Sequence, residues 1–155
     1  MTNFDYLKDC EGVKHLYELC CEVECRQTSD PGTSALYARN VLDWIVQAIY
    51  RLENIGDANG KSLFQLMNDD KFVRYINDAS MMQTLHYIRK IGNIGAHNPS
   101  SVKRNESYFV LRQLHGAVGA VLMKFGLISS FPDFDDNLIP KKPRLRVAPT
   151  ATAKS

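Results

Sequence analysis

Three polar side chains, Arg89, Asn93 and His97, follow one another at intervals of four residues. On an α-helix such positions drift only slowly around the axis, so the three side chains form one ridge. An arginine and a histidine supply the cation and the proton carrier that phosphate cleavage needs, provided that both reach the same phosphate. Two turns of helix separate the backbones of Arg89 and His97 by about 12 Å, so convergence would require help from a second protomer.

Two glycines, Gly92 and Gly95, lie within the same stretch. A glycine inside a helix costs about 1 kcal/mol relative to alanine, and the usual reason for it is the close approach of another backbone or a ligand. The pattern therefore predicts either a packing seam or a site. A purely structural interpretation is also open, in which Arg89 pairs with a carboxylate and His97 caps the helix end, where the helix dipole favours a cation.

The elements that must position this stretch are helices. Apolar residues recur three and four apart from Val13 to Phe125, and no alternating run of strand length occurs. The first predicted helix ends near residue 27, and the second spans about 33–52. Two short helices begin at 62 and at 70. The last two helices span about 80–98 and 104–125. We predict an all-α fold, an antiparallel bundle of four main helices with short extra helices and an irregular C-terminal tail.

Several local expectations accompany this fold. A cap at Thr33 or Ser34 should begin the second helix, and a cap at Ser80 should begin the helix that carries the ridge. Trp44, the only tryptophan, should be largely buried in the central helix of the bundle. The solvated face of the first helix should carry three carboxylates: Glu18, Glu22 and Glu24.

The charge distribution divides the chain. At 155 residues the chain is long enough for one domain, which we place at residues 1–139. Residues 140–155 carry five basic side chains, three prolines and no acid, which predicts a flexible tail or linker. Residues 1–139 hold 14 basic and 17 acidic side chains, a balance that disfavours a reader of duplex DNA.

Composition also bears on location and cofactors. No apolar run approaches the roughly 20 residues that span a membrane, and residues 1–5 lack a signal-peptide pattern, so we expect a cytoplasmic protein without a membrane partner. All four cysteines lie in residues 10–25 without the paired spacing of zinc modules, so we expect reduced thiols and no metal. Phosphate-binding glycine loops and dinucleotide fingerprints are missing, so no cofactor is expected.

The run from Leu85 to His97 resembles the signature of a helical bacterial domain of unknown function, which is similar to the N-terminal region of type I restriction enzyme R subunits. The opening Asn3-Phe4, the pair Asp30-Pro31 with an Arg39-containing helix, and the segment 136–141 extend this resemblance over about residues 3–141. That domain is grouped with the HEPN proteins (higher eukaryotes and prokaryotes nucleotide-binding). HEPN proteins are helical bundles that often dimerise.

Many HEPN proteins are metal-independent ribonucleases with an Arg-x4–6-His motif. The resemblance implies that the arginine would stabilise the phosphate and that the histidine would act as acid or base. In this chain His97 and Asn93 match the histidine and polar positions, whereas Arg89 lies eight residues before His97. The candidate catalytic residues are therefore His97, Arg89 and Asn93.

Two functions follow from these observations. The first is a non-catalytic interaction or dimerisation domain of a type I restriction-modification or anti-phage defence system, in which Gly92 and Gly95 allow close helix contact. The second is a metal-independent ribonuclease that acts on RNA through a dimer groove. The partners considered are a second copy of the chain, a larger restriction or defence complex, and nucleic acid.

Overall fold

The computed structural model describes residues 1–141, and within that range every regular element is helical. The α-helices are α1 (Lys14–Arg26), α2 (Pro31–Glu53), α3 (Leu63–Asn68), α4 (Asp70–Ile76), α5 (Ala79–His97) and α6 (Arg104–Lys124). Short 3-10 helices lie at Asp5–Asp9, Pro99–Ser101 and Asp136–Leu138. The all-α prediction is confirmed. The predicted tail at residues 140–155 falls almost wholly outside the described residues.

The helix α2 is the centre of the core. It packs against α1, α5 and α6, and its contact with α5 is the most extensive of the three. Its fully buried apolar residues recur every three or four positions and form the middle of the core: Ala35, Ala38, Val41, Leu42, Ile45, Val46 and Ile49. This spacing places one apolar stripe against three neighbouring helices. None of the helices in residues 1–141 is both long and apolar enough to cross a membrane.

Two helix starts differ from the expected ones. The carboxylate of Asp30 accepts the backbone N–H of Thr33 at 3.3 Å, so α2 begins earlier than a cap at residue 33 or 34 would allow. Pro31 occupies the first helical position, where its fixed φ is suited to a helix start. Asp78, two residues before Ser80, caps α5 in the same way. The predicted caps at residues 33 or 34 and at Ser80 are therefore wrong.

Two glycines with positive φ end or separate helices. Gly12, with φ of +83°, divides the first 3-10 helix from α1. Gly126, with φ of +77°, follows α6 in the left-handed conformation that glycine tolerates best. Both ends are thus fixed by local backbone chemistry.

Two side chains differ in position from what the sequence predicted. Trp44 is half-buried: it packs against the core from the side, in a surface concavity that His15 and Arg51 also line. Glu24 is only 1% exposed, because the N-terminal segment covers it and the backbone N–H and side-chain amide of Asn3 both donate to its carboxylate. Trp44 is thus mostly covered, as expected, although it lies at the edge of the core and not at its centre. The expectation of a solvated Glu24 is wrong.

The two ends of the described chain lie together. The side-chain amide of Asn3 donates to the carbonyl of Asp135 at 3.1 Å, and the N–H of Asp135 donates back to Asn3 Oδ1 at 2.7 Å. Phe131 lies directly on Gly119 of α6, where any larger residue would overlap its ring. Residues 127–139 therefore form a strap, the C-terminal strap, across α6 and the N-terminal segment.

Candidate functional site

The ridge residues belong to a helix that lies closely against α2. The buried positions of α5 are Leu85, Ile88, Ile91, Gly92 and Gly95. Arg89 and Asn93 are partly buried at the edge of this face, whereas His97 is exposed in the last turn of the helix. The three side chains therefore lie in different surroundings although they share one ridge.

The two glycines of α5 contact α2 of the same chain. A methyl group on Gly92 would lie 3.0 Å from the carbonyl oxygen of Ala35, and one on Gly95 would lie 3.1 Å from the backbone nitrogen of Leu36. The methyl group on Gly95 would also overlap the carbonyl oxygen of Gly32. Side chains larger than hydrogen would push the two helices apart. The sequence predicted a close approach at Gly92 and Gly95, but it did not identify Gly32 of α2 as the residue that Gly95 contacts.

Asn93 is held by Arg39, whose type and spacing do not mark it as part of the ridge. Its Oδ1 accepts a hydrogen bond of 2.8 Å from Nη1 of Arg39 on α2. The Cβ of Arg39 also lies against Gly92, so the same arginine contributes to the glycine seam and to the polar ridge. A guanidinium inside the apolar stripe of α2 is the signal that could have identified Arg39.

Arg89 contacts an aromatic ring and a histidine. Its guanidinium lies over the ring of Phe64, 4.9 Å from the centroid, and its Nε donates to His86 Nδ1 at 3.4 Å. Burial lowers the pKa of Arg89. Burial also lowers the pKa of His86, and the charges of Arg89 and Lys90 lower it further. The lowered pKa favours the neutral imidazole, in which Nδ1 accepts from Arg89 when the ring proton is on Nε2.

The structural interpretation of Arg89 is wrong in one respect. It required a carboxylate partner, and the ion pairs in residues 1–141 join other groups: Lys8 to Asp5, Arg26 to Glu22 and Arg112 to Asp136. Arg89 keeps its charge without a counter-ion in the part of the chain that the structure describes.

A concavity of about 440 Å³ opens beside these side chains. It lies between α2, α5 and the start of α3, and we call it the basic pocket. Its polar and charged lining includes Arg39, Asp43, Lys61, Arg89 and Asn93, and Phe64 forms part of its wall. The structure thus brings Arg89 and Asn93 together with Arg39 on one concave surface.

His97 does not line the basic pocket. It lies two turns along α5 from Arg89, which corresponds to about 12 Å of helix rise. A phosphate bound beside Arg89 would therefore lack a proton carrier from His97 of the same chain. Within one protomer, the candidate catalytic residues do not converge on one concave surface.

The cysteines lie on or just before α1, in varied environments. Cys20 is fully buried, and burial raises the pKa of its thiol well above the ordinary value. Cys21 is half-buried, and burial raises its pKa as well. Among residues 1–141, no three His, Cys, Asp or Glu side chains are grouped so that they could hold a metal ion.

Comparisons of the chain with protein families, with curated proteins and with solved structures found no match. Membership of the HEPN group stays a prediction from the sequence.

Proposed function

We propose that this chain is a non-catalytic helical interaction domain of a bacterial type I restriction-modification or anti-phage defence system. The proposal includes a HEPN-like antiparallel arrangement of four main helices, a cytoplasmic location, and assembly as a homodimer or as part of a larger complex. The resemblance of residues 85–97 supports the assignment to a defence system. The geometry of α5 supports the absence of catalysis.

The non-catalytic assignment rests on where Asn93 and His97 lie relative to the basic pocket. Asn93 is hydrogen-bonded to Arg39, and His97 lies outside the concavity that Arg89 lines. Cleavage without a metal needs a cation and a proton carrier on the same phosphate, and within one protomer two turns of α5 separate Arg89 from His97. The glycines between them serve contact between α2 and α5 of one protomer. The stretch is therefore explained by packing.

The alternative is a ribonuclease whose site forms across two protomers. The exposure of His97 favours it, because an exposed imidazole is accessible to a partner chain. A second protomer would have to bring its own cation or phosphate-binding surface to that end of α5. The two functions therefore differ in what His97 does.

A cleavage assay separates them. Purified protein is incubated with single-stranded and with structured RNA in the presence of a chelator, beside His97→Ala and the control His15→Ala, which removes an exposed histidine from α1. We expect no cleavage above background by any of the three proteins. Light scattering on the same samples records their assembly state.

Cleavage by the native protein and the control that is lost in His97→Ala, with folding and assembly unchanged, would contradict the proposal. It would assign the chain to the ribonucleases. Equal traces of cleavage in all three proteins would indicate a contaminating nuclease and would leave the non-catalytic assignment in place.

A further inference from the structure

The basic pocket holds positive charge that the described chain does not neutralise. Arg39, Lys61 and Arg89 line it, and Asp43 is the one carboxylate among its lining residues. In residues 1–141 none of the three cations lies within ion-pair distance of a carboxylate. Arginines in a concavity are suited to bind a carboxylate or a phosphate, because the guanidinium offers several donors in one plane.

The same pocket has an apolar wall. Phe64 is 55% exposed at the start of α3, and the guanidinium of Arg89 lies over its ring. This stacking leaves the donors in the plane of the guanidinium open to other groups. Nε and Nη2 of Arg89 face His86 Nδ1, whereas Nη1 has no acceptor in residues 1–141. A ligand with an anionic group beside an apolar group would contact Arg89 and Phe64 at once.

A neutral donor completes the anion-binding surface. Asn93 accepts from Arg39 through Oδ1, which leaves its Nδ2 without an acceptor in residues 1–141. An oxyanion between Arg39 and Arg89 could accept from that amide as well. The volume of about 440 Å³ lies within the range of pockets that bind small ligands or single side chains.

We propose that the basic pocket is the docking site for an acidic segment of a partner protein. One carboxylate binds between Arg39 and Arg89, and a neighbouring apolar side chain packs on Phe64. This inference rests on the proposed interaction function and names the chemistry of the partner. Complementary charge is what selects this occupant.

The charge of the whole domain favours a short peptide over nucleic acid. Residues 1–139 carry 14 basic and 17 acidic side chains, so the field around the domain is mildly repulsive for a long polyanion. Binding to a nucleic-acid backbone depends on many phosphate contacts along a basic surface. A single pocket with two arginines is matched to one or two carboxylates.

The test is an NMR titration of the full chain labelled with ¹⁵N. The probe is a capped peptide of alternating glutamate and phenylalanine, and the matched peptide replaces each glutamate with glutamine. We expect saturable shifts at Arg39, Phe64, Arg89 and Asn93 with the acidic peptide and none with the neutral one. Arg89→Gln should weaken binding about tenfold, as expected for loss of one charged partner.

Lys90→Gln is the control, because it removes the same charge from the adjacent, exposed position, which does not line the pocket. The proposal is wrong if the acidic peptide gives no saturable shift at the pocket, or if both variants weaken binding equally. It is also wrong if a single-stranded oligouridylate shifts the pocket resonances and the peptide does not. Absence of peptide binding together with absence of RNA cleavage would overturn this inference and leave the proposed function intact.

Discussion

His115 lies on the buried face of α6, where it is only 3% exposed. Four aromatic rings surround its imidazole, with centroids 5.4 to 6.2 Å away: Phe4, Tyr6, Phe131 and Phe134. Within residues 1–141 its Nε2 has no hydrogen-bond partner. Burial lowers the pKa of His115, Arg112 lowers it further, and Asn3 and Asp133 oppose the shift. The folded protein therefore favours the neutral ring.

Acid should consequently destabilise the fold through His115. The unfolded chain binds the proton near the ordinary pKa of 6.5 and the folded chain binds it only at lower pH. The contribution of the neutral ring is thus fully present above pH 6.5 and is lost as the pH falls through the lowered pKa. Urea unfolding of the native protein and of His115→Gln, from about pH 7.5 to about pH 5, measures the difference.

The native protein should lose more unfolding free energy on acidification than His115→Gln does. His15→Gln, which changes an exposed histidine, is the control for removing an imidazole from the surface. Parallel curves for the native protein and His115→Gln would show that the ring of His115 is not enclosed as described.

At the scale of single residues, the sequence identified two residues that line the pocket, but it did not predict which side chains contact each other or how deeply they are buried. Arg89 and Asn93 were selected by spacing, and both line one pocket. Glu24 was misplaced because its burial depends on Asn3, which reaches it from 21 positions earlier in the chain. Arg39 was missed for a similar reason, since its partner Asn93 lies 54 positions away. Helical periodicity contains no information on such contacts.

At the scale of helices, we predict opposite effects on stability for substitutions of two glycines, because one lies in the contact between α2 and α5 and the other does not. Gly95 lies on the backbone of α2, whereas Gly116, in the middle of α6, has no atom within reach of a methyl group. Gly95→Ala should destabilise the fold by about 1–3 kcal/mol through overpacking, and Gly95→Leu by more. Gly116→Ala should stabilise it by about 0.5–1 kcal/mol, because alanine favours the helix.

Chemical denaturation of the three variants provides the measurement, and Gly116→Ala is the matched control. If Gly95→Ala were neutral or stabilising, like the substitution in α6, α2 and α5 could not be as close as the structure places them. A drop in stability with an unchanged assembly state would agree with a seam inside one protomer.

The existence and order of the helices followed from the sequence, whereas their starts were less secure. Apolar spacing located α1, α2, α5 and α6, and α3 begins directly after its cap Ser62, close to the predicted start at residue 62. The observed caps of α2 and α5 differ from the predicted ones because several Ser, Thr and Asp residues lie near each helix start, and each residue type can cap a helix. Which of them accepts the first free N–H depends on where packing begins the helix.

At the scale of the whole molecule, the chain closes on itself. The side chain of Asn3 donates one hydrogen bond to the backbone of Asp135 and accepts another from it, so the first and last described segments meet beside α6. Sequence patterns gave no indication of this closure, because irregular segments have no periodicity to interpret. The chain ends are joined and α2 is packed on α5. The basic pocket is therefore a concavity on the surface of a closely packed set of helices.

We expect the hydrogen bond between Asn93 and Arg39 to stabilise the packing of α5 on α2. A double-mutant cycle on the free energy of unfolding tests it, with Arg39→Ala, Asn93→Ala and the double variant. A control cycle pairs Arg39→Ala with Asn105→Ala, which changes an exposed residue at the start of α6. We predict a coupling energy of about 0.5–1.5 kcal/mol for the first pair and additivity for the control. A coupling below about 0.3 kcal/mol between Arg39 and Asn93 would show that their hydrogen bond does not stabilise the contact between α2 and α5.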